Sequence, residues 1–527
     1  MNCIHKPKSI FPKQILVALC SMTICLFSSP LISQASTDDK GDTSPTHEMD
    51  VWYRVSIAEK PVGRIHLTSK ASKLDDGSKV MEHKSDFFMR LNRDGDVAEV
   101  KESSLVVEDA DGNLLRFQVN QEMGENEVVI KGVSRGGELH ITNSSDDSKR
   151  SIEIDESWLS NAQQFDLISD LYKQYQKDTD AKPESIYSAF DAQIMSAVKV
   201  TITIKGISDT GLEKPWDKGL HVIMKQEIQG GTINSTNWFA SDGSLLKSVI
   251  PGFGMTMERV KKEDAIKQSS DTVDINGLTS VQASGQVDLL NDASHTFRIS
   301  VRRDESIPLK DDNWKILKNG PNQILNQVME KLRSTSITTF SSIGDSSVSL
   351  TKASHPKPAA ACLKRSSLIQ SDADEIKSLA RKHKKENPLA TAKALEVEVS
   401  RLITDANYEN VFDSALTVLE KKEGDCTEHS VLLVALCRAV DVPARVATGL
   451  IGVQAPASDE PVVQFFYHMW TEVYVDGNWH SLDATLGRGG ITSAHIKLSD
   501  SSLADGDESG LISIVNLLGR IEIKVVR

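Results

Sequence analysis

The stretch EGDCTEHSVLLVALCRAVDVPAR, Glu423 to Arg445, places a cysteine where chemistry is possible. The chain is sparing with cysteine, holding six in 527 residues. Structural cysteines usually sit inside helices as small hydrophobes. Cys426 instead opens an apolar helix, behind Gly424 and Asp425. Asp425 suits an N-cap, because its carboxylate can accept the amide proton of Glu428 while Glu428 reaches back to the Asp425 amide. Cys426 is then the first helical residue. Its sulfur lies among unpaired amides at the positive end of the dipole, a setting that favours the nucleophilic thiolate. Gly424 keeps the approach open, and Val431, Leu432, Val434, Ala435, Leu436 and Ala439 make the rest of the helix a buried mount. An exposed thiol at the tip of that helix is expected. Cys437, mid-helix among apolar neighbours, reads as core.

A thiolate nucleophile needs a base, and the base needs an orienting group. FYHMWTEVYVDGNWHSLDAT, from Phe466, supplies both. It reads as two strands joined at Asp476-Gly477. With those two residues as the loop, Val475 faces Asn478 and Trp470 faces Asp483. His468 is then a diagonal neighbour of Asp483 on the same sheet face, within about 7–8 Å at the backbone, so imidazole and carboxylate can meet. A loop with an odd residue count would put them on opposite faces.

Other residues compete less well. His429, three residues past Cys426, could line the site, with its direction fixed by the helix. His480 falls on the face opposite Asp483, and His495 has no evident partner. Asp476 is explained by the turn. Arg445 is expected to pair with Glu423 or Glu428. No paired cysteines or histidines have metal-ligand spacing, so neither a metal nor another cofactor is expected.

The elements that position these residues change character along the chain. From Val51 the pattern has period two: Val51, Tyr53, Val55 and Ile57 alternate with polar neighbours, as do the residues of VKVTITIKG at Val198 to Gly206. Asp-Gly pairs at Asp76-Gly77, Asp94-Gly95, Asp111-Gly112 and Asp242-Gly243 mark tight hairpin turns. Residues 49–265 therefore read as an antiparallel β domain of unknown role, interrupted by a helical insertion that starts near Asp155. Residues 266–353 are a mixed connecting region with a helix expected around Asn322 to Leu332. Residues 354–370, with the proline-bearing SHPKPAAAC, are a linker. Residues 371–527 form the C-terminal unit. There Ser371 is expected to cap a helix ended by Asn387-Pro388. A second helix carries Leu395, Val399, Leu402 and Ile403 on one face, and a short third spans Ala415 to Lys421. The fold class is α+β.

Residues 1–35 read as a signal peptide rather than as part of the fold. Lys6, Lys8 and Lys13 precede a 13-residue apolar run, Ile15 to Phe27, shorter than the roughly 20 residues that span a bilayer. Ser33-Gln34-Ala35 has the small-x-small form of a cleavage site. Residues 36–48 are a polar leader. Cleavage after Ala35 would remove three lysines and no acids, taking the formal charge from −14 to −17. That disfavours nucleic acid as a partner. It would also leave only Cys362, Cys426 and Cys437, an odd count and no disulfide framework. A periplasmic or secreted protein, with possible cell-envelope association, is the expectation.

Gly424-Asp425-Cys426-Thr427-Glu428-His429, then LCRAVDVPARVATGL, then YHMWTEVYVDGNWHSLDAT resemble, in that order, the transglutaminase-like superfamily in its bacterial branch. The likeness covers about residues 370 to 500. It implies a papain-like α+β core, with Cys426 as nucleophile, His468 as base and Asp483 as orienting acid. Trp470 matches the aromatic two residues past the family's histidine. The upstream tryptophan that serves animal members as an oxyanion donor is absent, since no tryptophan lies between Trp314 and Trp470. The Cys426 amide can be one donor. The resemblance implies a thiol-dependent enzyme acting on amide bonds of a protein or peptide, as a cysteine peptidase or amidase. The alternatives are a cross-linking transglutaminase that transfers the acyl group to a lysine amine, and a non-catalytic envelope-binding module.

Overall fold

In a computed structural model of the chain, the described residues are 48–93, 96–123, 126–144, 148–155, 157–180, 184–192, 195–228, 231–250, 254–267, 273, 280–284, 295–301, 338–342, 348–349, 360–366, 368–404, 413–454, 462–491, 494–504 and 521–525. The expected signal peptide, the helix around Asn322 to Leu332 and the Asp94-Gly95 turn lie outside them. No helix among the described residues is long and apolar enough to cross a membrane.

Fourteen strands of the first half form one antiparallel sheet. In chain order they are β1 (Met49–Ile57), β2 (Lys60–Lys73), β3 (Lys79–Arg93), β4 (Asp96–Asp109), β5 (Leu114–Met123), β6 (Asn126–Arg135), β7 (Glu138–Asn143), β8 (Ser148–Glu153), β9 (Glu184–Asp191), β10 (Ser196–Asp209), β11 (Lys218–Ile228), β12 (Gly231–Phe239), β13 (Leu245–Ile250) and β14 (Met255–Val260). Each pairs with its sequence neighbour, except that β1 pairs with β14 and leaves β8 and β9 at the two ends. The chain past β8 meets β9. Trp158 bridges Ser188 of β9 in parallel, and the Leu159 amide donates to the Ser188 carbonyl at 2.8 Å. That contact covers part of the β9 edge, which would otherwise be open to a foreign strand.

Period-two burial follows the sequence: Val51, Tyr53, Val55 and Ile57 point inward, as do Val198, Val200, Ile202 and Ile204. The helical insertion is α1 (Asn161–Lys177), which starts six residues later than Asp155 because Ser160 supplies its capping box. The Ser160 hydroxyl accepts from the Gln163 amide, and the Gln163 side chain accepts from the Ser160 amide at 2.9 Å. α1 buries Phe165, Ile168, Leu171 and Tyr172 in the same core as Tyr53, Ile65, Val200 and Phe239.

After α2 (Lys262–Ile266) come β15 (Val281–Ser284), β16 (His295–Val301), β17 (Thr338–Ser342) and β18 (Val348–Ser349). The C-terminal unit adds α3 (Asp374–Lys382), α4 (Pro388–Leu402), α5 (Ala415–Lys421), α6 (Cys426–Arg438), β19 (Ala444–Gln454), β20 (Val462–Val475), β21 (Asn478–Leu482), β22 (His495–Ser501) and β23 (Ile521–Val525). A second sheet runs β15-β20-β19-β22-β18, with β21 also on β20, and a third runs β17-β16-β23. The expected α+β organisation is what forms: a large antiparallel β region, then helices on a sheet.

Local details differ from expectation. α3 begins at Asp374 behind Ala373, with no side-chain cap, so Ser371 does not cap it. α3 ends at Lys382; Asn387 instead caps α4, accepting from the amides of Leu389 and Ala390, with Pro388 in the first turn. Proline there forfeits no helical hydrogen bond. Strands β15 and β18, from the region read as connecting, lie in the same sheet as β19, β20 and β22. The first strand's neighbour Ser280 accepts from Gln464 at 2.8 Å.

Candidate active site

α6 is buried along its whole length. Val431, Leu432, Leu433, Val434 and Leu436 are each fully buried, worth about 1.5–3 kcal/mol apiece in gross apolar transfer. They pack with Ile376 of α3, Leu395 and Val399 of α4, Val418 of α5 and Met469 and Val473 of β20. The helix start is set by the capping box read from the sequence. Asp425 accepts from the Thr427 amide at 2.8 Å and from the third helical amide, while Glu428 accepts from the Asp425 amide at 2.9 Å. Gly424, at φ +150°, makes the turn into it; a Cβ there would sit 2.4 Å from that of Glu428. At the other end, Arg438 donates to the carbonyls of Ala444, Lys364 and Ser502. Burial pulls its pKa down to about 10.

Cys426 is the first residue of α6, as expected, but its surface is only 1% exposed. The expectation of an exposed tip is corrected: the thiol packs within the core that surrounds the helix. Cys437 is plain core, and burial pushes its thiol far up.

The hairpin has the even register. Asp476 (φ +51°) and Gly477 (φ +83°) are the two loop residues, and Val475 faces Asn478. Both φ values are positive, the geometry that matches strand twist in a two-residue turn. The ladder then runs to Thr471 opposite Leu482, which delivers Asp483 beside Trp470 and diagonal to His468. His468 Nε2 lies 2.8 Å from Asp483 Oδ2. An ionised carboxylate only accepts, so Nε2 carries the proton. His468 Nδ1 is buried and has no hydrogen-bond partner. α6 packs on β20 through Met469 and Val473, and the Thr471 hydroxyl donates to the Ser430 carbonyl at 3.3 Å, so the strand that carries His468 lies against the helix that Cys426 opens.

Asp483 is held on every side. Its Oδ1 accepts from the Thr485 amide at 2.9 Å, and its Oδ2 also lies 3.2 Å from His495 Nε2. Burial alone would raise its pKa, but His468 and His495 outweigh that and hold the carboxyl far below the usual range. His495, which showed no partner in sequence, is thus a second donor to the same oxygen. Sequence reasoning also missed Glu396, on α4. Its Oε1 accepts from the amides of Asp483, at 3.0 Å, and Gly490, at 3.1 Å. Burial, then the neighbouring Asp483, pushes its pKa up to about 8. A buried glutamate on the apolar side of a helix was the one available signal.

The remaining competitors resolve as follows. His429 Nδ1 meets the Asp425 carbonyl at 2.6 Å, and burial lowers its pKa. His480 faces Val473, on the face away from Asp483. Arg445 pairs with Glu472 and Asp500, each at 2.8 Å, not with Glu423 or Glu428. Lys497 completes that cluster, 2.6 Å from Glu472 and 2.9 Å from Asp500. These pairs tie β19, β20 and β22 together on the face that carries His468. Trp470 is fully buried, its ring 6.2 Å from that of His468 and its Nε1 without a partner. His468, Asp483 and His495 offer three possible metal-ligand atoms within 4.8 Å of one another. The 2.8 Å His468–Asp483 separation is a hydrogen bond, shorter than the spacing of about 3.3 Å that ligands to one tetrahedral ion keep at zinc bond lengths.

Residues 377–484 match the family model of the transglutaminase-like superfamily. That span runs from α3 to one residue past Asp483 and takes in Cys426, His468 and Glu396, so the region that builds the site is transglutaminase-like. No curated protein matches the chain. Among solved structures, a β-barrel-like protein of a domain of unknown function from Brucella abortus is similar at 11% identity and a TM-score of 0.32, over 42% of this chain and 98% of that one. A candidate cysteine protease from Cytophaga hutchinsonii is similar at 23% identity and a TM-score of 0.24, over 36% of this chain and 58% of that one. A candidate protease from Parabacteroides distasonis is similar at 12% identity and a TM-score of 0.17, over 79% of this chain and 66% of that one.

Proposed function

We propose that the C-terminal unit is a thiol-dependent enzyme that cleaves amide bonds, a cysteine peptidase or amidase, through Cys426, His468 and Asp483. The observation that carries this reading is the state of His468: Nε2 is bound to a buried carboxylate, and Nδ1 is buried and unpaired, on a strand that packs against the helix that Cys426 opens. An imidazole held in that tautomer keeps its lone pair on Nδ1 for a proton. In the proposed reaction His468 Nδ1 takes the thiol proton and Cys426 Sγ attacks the amide carbonyl. The oxyanion forms against the Cys426 amide. The imidazolium then protonates the departing nitrogen, the C–N bond breaks and a thioester remains. Water, deprotonated by His468, attacks the thioester and frees the acid and the thiol. Asp483 keeps the tautomer and stabilises the imidazolium.

Water is proposed as the acceptor over an amine. A cross-linking enzyme must shield its thioester from water, and the upstream tryptophan that would wall an amine tunnel is absent from the sequence. The test offers active enzyme a glutamine-containing peptide library with an excess of labelled primary amine. Free acid should dominate. A dominant amine adduct would replace this reading with cross-linking. The proposal extends to export, on the strength of residues 1–35, with Ser36 as the mature N-terminus; sequencing that terminus in the native protein decides it.

A further inference from the structure

The first half of the chain holds a cavity of about 320 Å³ where β2, β3, β4 and the first turn of α1 come together. That is room for about ten waters and lies within the size range of small-molecule pockets. Leu67, Val106, Leu114, Trp158, Phe165 and Phe190 give it apolar walls. Its polar side is built, not incidental. Ser69 and His83 face each other across β2 and β3, and Ser69 Oγ meets His83 Nδ1 at 2.8 Å. Glu108 Oε2 lies 3.3 Å from His83 Nε2. The other oxygen of Glu108 accepts from both the amide and the side chain of Asn161, at 3.0 and 2.9 Å. Gln164 also lines the cavity and is only 2% exposed. Its side-chain nitrogen donates to the Leu159 carbonyl at 3.3 Å, while its Oε1 is buried with no partner. An orphaned buried acceptor is costly to the fold and rare without a reason.

We propose that this cavity binds a neutral amphiphile, an apolar body that carries one N–H or O–H donor, which a turn of the Gln164 side chain into the cavity brings to its unpartnered Oε1. The charges support neutrality. The buried Glu108 disfavours an anion. One Glu108 oxygen takes both Asn161 donors, and a cation at the other would share it with His83 Nε2, which lies 3.3 Å away without a hydrogen bond of its own. The apolar walls favour an aromatic or branched aliphatic body. This inference is independent of the thiol chemistry.

The test titrates the full chain with N-phenyl-1-naphthylamine, neutral and apolar with a single N–H. The expected result is saturable one-to-one fluorescence enhancement with quenching of protein tryptophan emission, since Trp158 lines the cavity. Gln164→Leu should weaken this probe about tenfold, a loss of about 1.4 kcal/mol. It should leave binding of 1-phenylnaphthalene, which lacks the donor, unchanged or tighter. Val106→Trp, which fills the cavity from β4, should abolish binding of both probes while circular dichroism stays native. If Gln164→Leu does not fold, Val106→Trp decides alone. Absence of saturable binding to the parent protein, equal effects of Gln164→Leu on the two probes, or unaltered binding by Val106→Trp would each overturn the proposal.

Discussion

At the scale of single residues the account rests on Asp483. It takes hydrogen bonds from His468, His495 and Thr485 while its own amide is gripped by Glu396. Asp483→Asn should leave the fold intact, because the amide oxygen can keep the Thr485 bond and the imidazoles can change tautomer to accept from its nitrogen, yet reduce turnover by on the order of 10⁴, as the equivalent change does in a serine triad. Steady-state kinetics beside a native circular dichroism spectrum tests it, and unchanged turnover removes Asp483 from the mechanism. Glu396 makes a separate prediction. Its pKa is raised to about 8 by burial and by Asp483, against an ordinary glutamate in the unfolded chain. The folded state therefore binds the extra proton between those values. The corresponding stability is full at acid pH and is lost as pH rises towards 8. Glu396→Gln keeps the acceptor for the Asp483 and Gly490 amides and removes the titration. Urea midpoints at pH 5 and pH 8 should then differ less in the variant than in the parent; an equal difference in both refutes the assignment.

At the scale of elements, what could be read in the sequence was what is local. The capping box at Asp425 and Glu428 spans three residues, and the Asp476-Gly477 loop fixes strand parity by its length alone. Those two features place the thiol and align His468 with Asp483. The contacts that escaped the sequence are non-local. Glu396 reaches Asp483 across 87 residues, through the packing of α4 beneath the end of β21. His495 arrives from β22, and Arg445 finds its acids on β20 and β22 because it sits in a strand rather than at a helix face. The pairing of β1 with β14 had no signature in period-two patterning, which is blind to which strands pair. Gly424→Ala tests the element that carries the nucleophile. An added Cβ would collide with Glu428 and would hold an unfavourable φ, so the capping box should open. A loss of stability on the order of 1–3 kcal/mol is expected, with a fall in activity as Cys426 shifts. Denaturant titration and turnover measure the two, and a silent substitution contradicts this role for the turn.

At the scale of the whole molecule, one apolar core runs from Tyr53 and Ile65 in the large sheet through Val281 and Ala283 of β15 to Phe465 and Tyr467 of β20. The strand that carries His468 thus packs on the first half of the chain as well as on α6. Within the described residues three cysteines, Cys362, Cys426 and Cys437, are in no disulfide, and all three are buried. Burial alone therefore does not distinguish them, and reactivity must come from position. The most direct test of the central claim is limiting alkylation of the native protein with iodoacetamide, mapped by mass spectrometry. The account predicts that Cys426 is modified first, and more slowly once His468 is replaced by alanine. Modification of Cys362 or Cys437 ahead of Cys426 in the native state would contradict it.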